Sequence, residues 1–321
     1  MKRWGFLKSW YFWLFCISCI AIVIRSIPAW TNAAWGCDFG IYYGLTNSFV
    51  ENKELFNSYT GWGGSYQFFP MLYAITALVH WITGLSVLTI LPKLAPLFGG
   101  LSIFIFYFIV YELLKDRKMA LLASMFLAVL PFHVYQTSHA APLTIGHFFM
   151  MLSLYLFLKY RHNIRYIIPL ICSTILLVMS HHLTTYFYLI SLVTIVFIEN
   201  SAKKKWTPTV HRDVGYILLT SGIVFSYWMI IAKPVFEHFM AHGLQFWLFR
   251  LNSLSTLMLF YIGFFLLFAF IWIKRRYNLF LKNERKPTPH SCLVKFFVSL
   301  FVCVIAMSVF TFMKKSEAKG K

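Results

Sequence analysis

The chain has 321 residues, of which 60% are hydrophobic and only 12% are charged, and its mean hydropathy is +0.69. Soluble domains carry about 25% charged residues, so this composition excludes an ordinary soluble domain. The formal net charge of +19 does not indicate nucleic-acid binding, because the basic residues form short clusters between apolar runs, as in membrane proteins. We therefore expect a multi-pass protein of the cell membrane that contacts lipids and has no nucleic-acid partner.

Ten apolar segments follow one another along the chain, several of them near the 20 residues that a membrane-spanning helix needs. They lie at 10–27, 66–83, 91–111, 119–135, 143–158, 166–180, 183–198, 214–231, 252–273 and 293–313. The first is interpreted as an uncleaved span, because it is long and no small-residue cleavage site follows it. The predicted fold class is all-α, a transmembrane helix bundle forming one domain over residues 1–313 with a basic tail at 314–321.

Basic clusters between the apolar segments predict the topology. They lie at 115–118, 159–165, 203–212 and 274–286. Two apolar segments separate each cluster from the next, so all four share one side of the membrane, which the positive-inside rule makes the cytoplasm. The N-terminal Lys2, Arg3 and Lys8 join that side only if one of the first three segments is not a span. About nine spans result, and the basic tail then falls on the outer side, against the same rule.

The segment at 66–83 is the weakest candidate span. Its polar residues recur at spacings of three and four, on one face of a helix: Tyr73, Thr76, His80 and Thr83. We predict that it lies along the outer surface as an interfacial helix, or lines a cavity there. It would belong to a long first outer loop at 28–91. The alternative is an ordinary span with a few polar residues.

Acidic residues are rare on the predicted outer side, and Asp38 is distinctive by position. It follows the first span in the sequence W-G-C-D-F-G-I-Y-Y at 35–43. A carboxylate there is a candidate general base at the outer surface. An equally good explanation is an N-cap for the helix that follows, and one residue can do both. The neighbouring Cys37 is the one cysteine of six in a polar loop.

Histidines also concentrate near the predicted outer side. His139, His181 and His182 lie in short outer connections, and His133 and His147 lie near the outer ends of their segments. Polar groups at membrane depth need a cavity or a partner. Together with a nearby carboxylate, these imidazoles form a plausible ligand set for zinc or a similar divalent ion. For any single histidine, the favoured alternative is an interfacial side chain bonded to backbone or lipid.

Two outer cations have different expected roles. Lys93 lies between Pro92 and Pro96 at the start of an apolar segment, where a cation can hold a phosphate at head-group level. Arg25 lies near the end of the first span, and we interpret it as a side chain that snorkels to the interface.

Five features then occur in one order between about residues 10 and 200. Asp38 follows the first span, Q-F-F-P-M-L-Y follows at 67–73, and Lys93 begins K-L-A-P-L-F-G. The basic turn L-K-D-R-K at 114–118 and the stretch L-P-F-H-V-Y-Q-T-S-H at 130–139 come next. This order resembles the polytopic glycosyltransferases of the GT-C fold, the superfamily of protein mannosyltransferases, aminoarabinose transferases and oligosaccharyltransferase catalytic subunits. In that superfamily the segment after the proline signature is a juxtamembrane helix.

The resemblance implies a hexosyl- or pentosyltransferase that uses a polyprenyl-phosphate sugar as donor at the outer membrane face. The acceptor would be a protein, a lipid or a glycan. Asp38 would deprotonate the acceptor. Lys93 is the first candidate to neutralise the leaving phosphate, and Arg250 or Lys233 is the second.

The resemblance also implies substrate and metal ligands. Gln67 and Tyr66, at the proline signature, are candidate substrate-binding residues. Some members of the superfamily hold a divalent ion near the lipid phosphate, so zinc, magnesium or manganese is expected near His181 or His182, with His139 as a further candidate.

The chain departs from the family pattern at places where many members carry a second acid. It has His139 and Gln67 there, and Pro70-Met71 replaces the double proline, which argues against a metal site with two carboxylates. Two other functions stay open, a transporter or flippase for a lipid-linked glycan and a non-catalytic membrane assembly subunit. A transporter would show interrupted helices in two related halves, and this sequence has no such symmetry.

Overall fold

A computed structural model describes residues 9–56, 58–200 and 208–237, with backbone alone at 198–200 and 208. The chain divides into two compact units, Met1–Ala232 and Lys233–Lys321, and only 233–237 of the second are described. The predicted segments at 252–273 and 293–313, the tail at 314–321 and Arg250 lie outside the described residues. The single domain over 1–313 stays a prediction.

The described residues are helical, and none of them forms a β-strand. Their helices are α1 Trp10–Thr31, α2 Phe39–Asn52, α3 Met71–Thr83, α4 Val87–Leu114, α5 Arg117–Val129, α6 Pro131–Ser138, α7 Pro142–Tyr160, α8 Ile167–Val178, α9 His182–Asn200 and α10 Pro208–Ile230. Short 3₁₀ turns lie at Tyr66–Phe68 and Ile164–Tyr166.

Four of these helices are long and apolar enough to cross a membrane: α1, α4, α7 and, within α10, Thr209–Ile230. The pair α5 and α6 counts as a fifth if it forms one broken span, since the two helices are bent by 64°. The described part therefore has the architecture of a helical membrane protein. The count of about nine spans stays a prediction.

Helix α3 has 13 residues, so it is about 20 Å long and falls short of the roughly 30 Å hydrocarbon core. Its Tyr73 and Thr76 are buried against the protein, whereas Ile82 is 75% exposed and Trp81 is 49% exposed. The polar side chains near the start of the helix therefore face inward together with Leu72, whereas the apolar side chains of its last turn are exposed. This length and orientation agree with a helix in the first loop and not with a full span.

One end of the bundle is charged. Lys115 and Lys159 pair with Glu112 at 2.7 and 3.3 Å, and Arg161 pairs with the fully buried Asp213 at 3.0 Å. These residues come from the ends of α4 and α7 and the start of α10. Two of the predicted basic clusters thus meet at the same end of the bundle, as their spacing along the chain indicated, and Arg212 of a third donates to the backbone oxygen of Arg161 there at 3.0 Å.

The other end carries the first loop, and two adjacent glycines allow close helix packing near it. A Cβ on Gly99 of α4 would overlap the carbonyl oxygen of Thr137 in α6, and a Cβ on Gly100 would overlap the backbone of Ile22 in α1. Only glycine permits such close approach of backbones. Helix α4 therefore brings α1 and the second half of the broken span together.

Candidate active site

Asp38 occupies the position immediately before α2, but its side chain does not cap that helix. Its backbone carbonyl oxygen accepts from the N–H groups of Ile41 and Tyr42, at 3.0 and 3.2 Å. An N-cap aspartate would use its carboxylate to accept from the first backbone N–H groups. The helix-cap interpretation therefore does not account for this carboxylate.

Two tyrosines hold the carboxylate. The hydroxyl of Tyr66 donates to Oδ2 of Asp38 at 2.8 Å, and the hydroxyl of Tyr42 donates to the same oxygen at 3.3 Å. Tyr73 lies behind them and donates to the backbone oxygen of Tyr66 at 3.3 Å. Oδ1 of Asp38 accepts no hydrogen bond from the described residues. The carboxylate is therefore oriented through one oxygen, and the other has no donor among those residues.

The phenols remain protonated at neutral pH. Burial, together with the hydrogen bond to Asp38 and its negative charge, raises the pKa of Tyr66 to about 12, against an opposing hydrogen bond with Tyr42. Burial also raises the pKa of Tyr42, with the neighbouring Tyr66 as the next cause. A phenol that keeps its proton stays a hydrogen-bond donor, so the carboxylate is held by neutral groups, and no cation of the described residues pairs with it.

The proline segment is fixed against two other helices. The hydroxyl of Tyr227 in α10 donates to the backbone oxygen of Phe68 at 2.7 Å. The ring of Phe69 lies 5.2 Å from that of His182 at the start of α9 and 6.4 Å from that of Tyr227. His182 therefore lies beside the segment that carries Tyr66.

Gln67 braces the first loop. Its Nε2 donates to the backbone oxygens of Tyr59 and Gly64 at 3.0 and 2.8 Å, and its Oε1 accepts from the N–H of Tyr59 at 2.8 Å. These three bonds use both amide hydrogens and the amide oxygen. A substrate would have to replace loop contacts to bind here, so substrate binding by Gln67 stays a prediction.

The remaining candidate histidines lie at separate places. The ring of His139 lies 5.3 Å from Trp35, next to the loop before Asp38. His181 accepts from the N–H of Thr184 at 3.3 Å, and its ring lies 4.8 Å from that of His182. Within the described ranges no three His, Cys, Asp or Glu side chains form a possible metal site. No reaction step is therefore assigned to zinc, magnesium or manganese, and the metal stays a prediction.

The predicted phosphate-binding cations also have separate positions. Nζ of Lys93 lies 4.9 Å from the ring centre of Trp30, a cation–π contact. Trp30 in turn lines an apolar groove of about 390 Å³ on the surface of α1. Lys233 belongs to the second unit, where it is exposed and pairs with Glu237 at 3.7 Å.

Sequence reasoning missed the role of Arg25, and the snorkelling interpretation is wrong. Its side chain is fully buried. One of its terminal nitrogens lies 2.7 Å from Nδ1 of His133, whose Nε2 lies 3.0 Å from Nε2 of His147. One signal was available, because an arginine and two histidines within apolar segments require partners in the bundle.

No model of a known protein family matches this chain, and no curated protein matches it significantly. The functional assignment of the Asp38 region therefore rests on the chemistry and geometry of its own residues.

Proposed function

We propose that this chain is a membrane glycosyltransferase of the GT-C type, which moves a sugar from a polyprenyl-phosphate donor to an acceptor at the outer membrane face. One observation carries the proposal. The carboxylate of Asp38 does not cap its helix, and its Oδ2 accepts hydrogen bonds from two neutral phenols. Its Oδ1 accepts none from the described residues. A general base needs such a fixed carboxylate with one oxygen available to the acceptor.

In the proposed reaction, Oδ1 of Asp38 takes the proton from an O–H or N–H group of the acceptor. The acceptor atom attacks C1 of the donor sugar, and the bond between C1 and the phosphate oxygen breaks. Polyprenyl phosphate leaves with the bonding electron pair. A nearby cation stabilises the negative charge that develops on the phosphate, and Lys93 is assigned this role.

The position of Lys93 supports a lipid-linked donor. Its ammonium group lies over Trp30, at the rim of the apolar groove on α1. An isoprenoid chain suits an apolar surface, and a phosphate suits a cation at head-group level. Arg250 and Lys233 are proposed as second candidates for the same charge.

The proposed orientation follows from the charged end of the bundle. Basic residues favour the cytoplasmic side, and the ion pairs of Glu112 and Asp213 gather Lys115, Lys159 and Arg161 at one end. Asp38 would then face outward, together with the first loop and the start of α9. About nine spans, with α3 lying along the surface, complete this proposed arrangement.

The proposal can be tested with the full-length protein in liposomes and radiolabelled polyprenyl-phosphate hexoses and pentoses. Peptides, lipids and glycans would be offered as acceptors. Because general-base catalysis contributes about 10²–10⁴-fold, Asp38→Asn is expected to lower transfer at least about 100-fold. Asp116→Asn is the matched control, because Asp116 also precedes a helix but caps it. It should retain transfer.

Two results would contradict the proposal. Undiminished transfer by the Asp38→Asn protein would remove Asp38 as the base. Lipid translocation by the wild-type protein without transfer to any acceptor would identify a flippase instead.

A further inference from the structure

The broken span α5–α6 leaves backbone groups that need partners. Helix α5 ends at Val129 and α6 begins at Pro131. Proline has no N–H, so the carbonyl of Leu127, four residues earlier, loses its usual helical donor. An unpaired carbonyl buried at membrane depth costs several kcal/mol. The break can persist only if another group donates to the end of α5.

Arg25 of α1 supplies these donors. Its guanidinium donates to the backbone oxygens of Ala128 at 2.9 Å and Leu127 at 3.4 Å. It also donates to Ala21 in its own helix at 3.0 Å. Its positive charge faces the carboxyl end of α5, where the helix dipole is negative. A buried cation thus replaces the backbone hydrogen bond that Pro131 removes from Leu127, and it also donates to the neighbouring carbonyl of Ala128.

The same guanidinium links α1 to two further helices. One of its N–H groups meets Nδ1 of His133 in α6 at 2.7 Å. Because arginine can only donate, Nδ1 of His133 must accept, and the proton of that imidazole lies on Nε2. That nitrogen then donates to Nε2 of His147 in α7 at 3.0 Å.

The remaining N–H of Arg25, on Nε, connects the side chain to the region of the candidate active site. Nε donates to the hydroxyl of Thr137 at 2.8 Å. The next residue, Ser138, accepts from the indole N–H of Trp35 at 3.0 Å. Trp35 lies three residues before Asp38, in the loop that ends at α2. A continuous set of contacts therefore joins the buried arginine to the loop that carries the carboxylate.

We infer that Arg25 is a positioning residue for Asp38, because it fixes the broken span on which the Trp35 loop is anchored. All five of its N–H groups are used, and their acceptors are three carbonyls, one hydroxyl and one imidazole. The planar guanidinium group, whose five N–H donors form a fork, makes this set of bonds possible, and its positive charge alone would not. The catalytic consequence rests on the proposed function, whereas the positioning of the loop does not.

Cys37 gives a direct test, since it is exposed and adjacent to Asp38. In a variant that keeps Cys37 and replaces the other five cysteines, a membrane-impermeant maleimide reports how firmly the loop is held. We expect Arg25→Gln to raise the labelling rate and to lower kcat by about 100-fold with little change in KM, as for a misplacement of about 1 Å. Arg25→Lys should behave like Arg25→Gln, because an ammonium group cannot reproduce the fork.

Thr137→Val is the milder variant, since it removes one acceptor of Arg25 and keeps the side-chain shape. It should raise the labelling rate less than Arg25→Gln and lower kcat by about tenfold. Ser18→Ala is the matched control, because Ser18 is buried in α1 and donates only to the carbonyl of Leu14. It should leave both the labelling rate and kcat unchanged.

The outcomes separate this inference from the proposed function. Unchanged Cys37 labelling in the arginine and threonine variants would overturn the inference, even if transfer fell. Full rescue by Arg25→Lys would also overturn it, since charge alone would then suffice. If Arg25→Gln does not fold, Thr137→Val decides. Faster Cys37 labelling in the variants, combined with no sugar transfer by the wild-type protein, would support the positioning role of Arg25 and refute the proposed glycosyltransferase activity.

Discussion

Asp38 and Asp116 each immediately precede a helix, α2 and α5, but their carboxylates have different partners. Asp116 accepts from the backbone N–H groups of Lys118 and Met119 at 2.8 and 3.3 Å. The carboxylate of Asp38 accepts no hydrogen bond from the N–H groups of its helix and accepts from two phenols instead. The same residue type at the same helical position thus stabilises a helix in one place and holds an oriented carboxylate in the other.

The surroundings of the two residues explain the difference. At the charged end of the bundle, Glu112 and Asp213 pair with lysine and arginine side chains. Around Asp38 the neighbours are tyrosines, and no ion pair to Asp38 occurs within the described ranges. Acids at the charged end therefore fix the helix ends, whereas hydroxyl groups and no charged partner hold the acid of the first loop in the part of the chain that the structure describes. The following changes test that division, from the largest expected effect to the smallest.

The Arg161–Asp213 pair should dominate stability at the charged end. Arg161→Met removes the bidentate ion pair to the fully buried Asp213, and breaking a buried ion pair costs about 3–5 kcal/mol. We expect that loss in the free energy of unfolding measured by detergent titration. Asp213→Asn in the same chain should recover part of it, because the buried charge is then removed. An equally stable Arg161→Met protein would show that the pair has no structural role.

At the end of the bundle that carries the first loop, a change at Tyr66 should affect the rate of sugar transfer. Tyr66→Phe removes the shorter of the two bonds to Asp38, and a hydrogen bond to a charged group contributes about 1.5–3 kcal/mol. We expect kcat/KM for sugar transfer to fall by about tenfold or more. Tyr43→Phe is the control, since Tyr43 lies in the same helix as Tyr42 and stacks on Phe39. A comparable loss in both variants would contradict a specific role for Tyr66.

The cap at Asp116 should have the smallest effect. Asp116→Ala removes two acceptors of exposed backbone N–H groups, and loss of an N-cap costs about 1 kcal/mol. We expect a slightly lower free energy of unfolding with an unchanged rate of sugar transfer, measured on the same liposomes. A lower rate of sugar transfer with an unchanged free energy of unfolding would contradict the view that acids at the charged end serve stability and Asp38 serves activity.

Parts of the fold follow from local pattern. Apolar runs of spanning length predicted α1, α4 and α7, and the spacing of basic clusters placed Lys115, Lys159 and Arg161 at one end. The polar residues of the 66–83 segment set it apart from the predicted spans, and its helix has only 13 residues; its place along the outer surface stays a prediction. The break at Leu130–Pro131 was missed, because proline within an apolar run can either kink a span or begin a new helix, and a partner elsewhere decides between them.

The candidate site divides in the same manner. Asp38 was found from its position after the first span, and Tyr66 from the proline signature, but their hydrogen bond depends on how the loop folds over α2. Gln67 also came from that signature, but its three hydrogen bonds to the first loop became visible only in the structure, and its binding of substrate stays a prediction. Arg25 looked like an interfacial cation, since its sequence neighbours reveal nothing about the carbonyls that α5 presents to it.

The sequence by itself determined a helical membrane protein with Lys115, Lys159 and Arg161 at one end, because hydrophobic length and charge distribution act locally and additively along the chain. Only the tertiary structure decided which acid is a cap and which is an oriented carboxylate. It also decided that Arg25 is buried and not interfacial. Those outcomes depend on partners from distant segments, whose donors and acceptors must be satisfied wherever water is excluded.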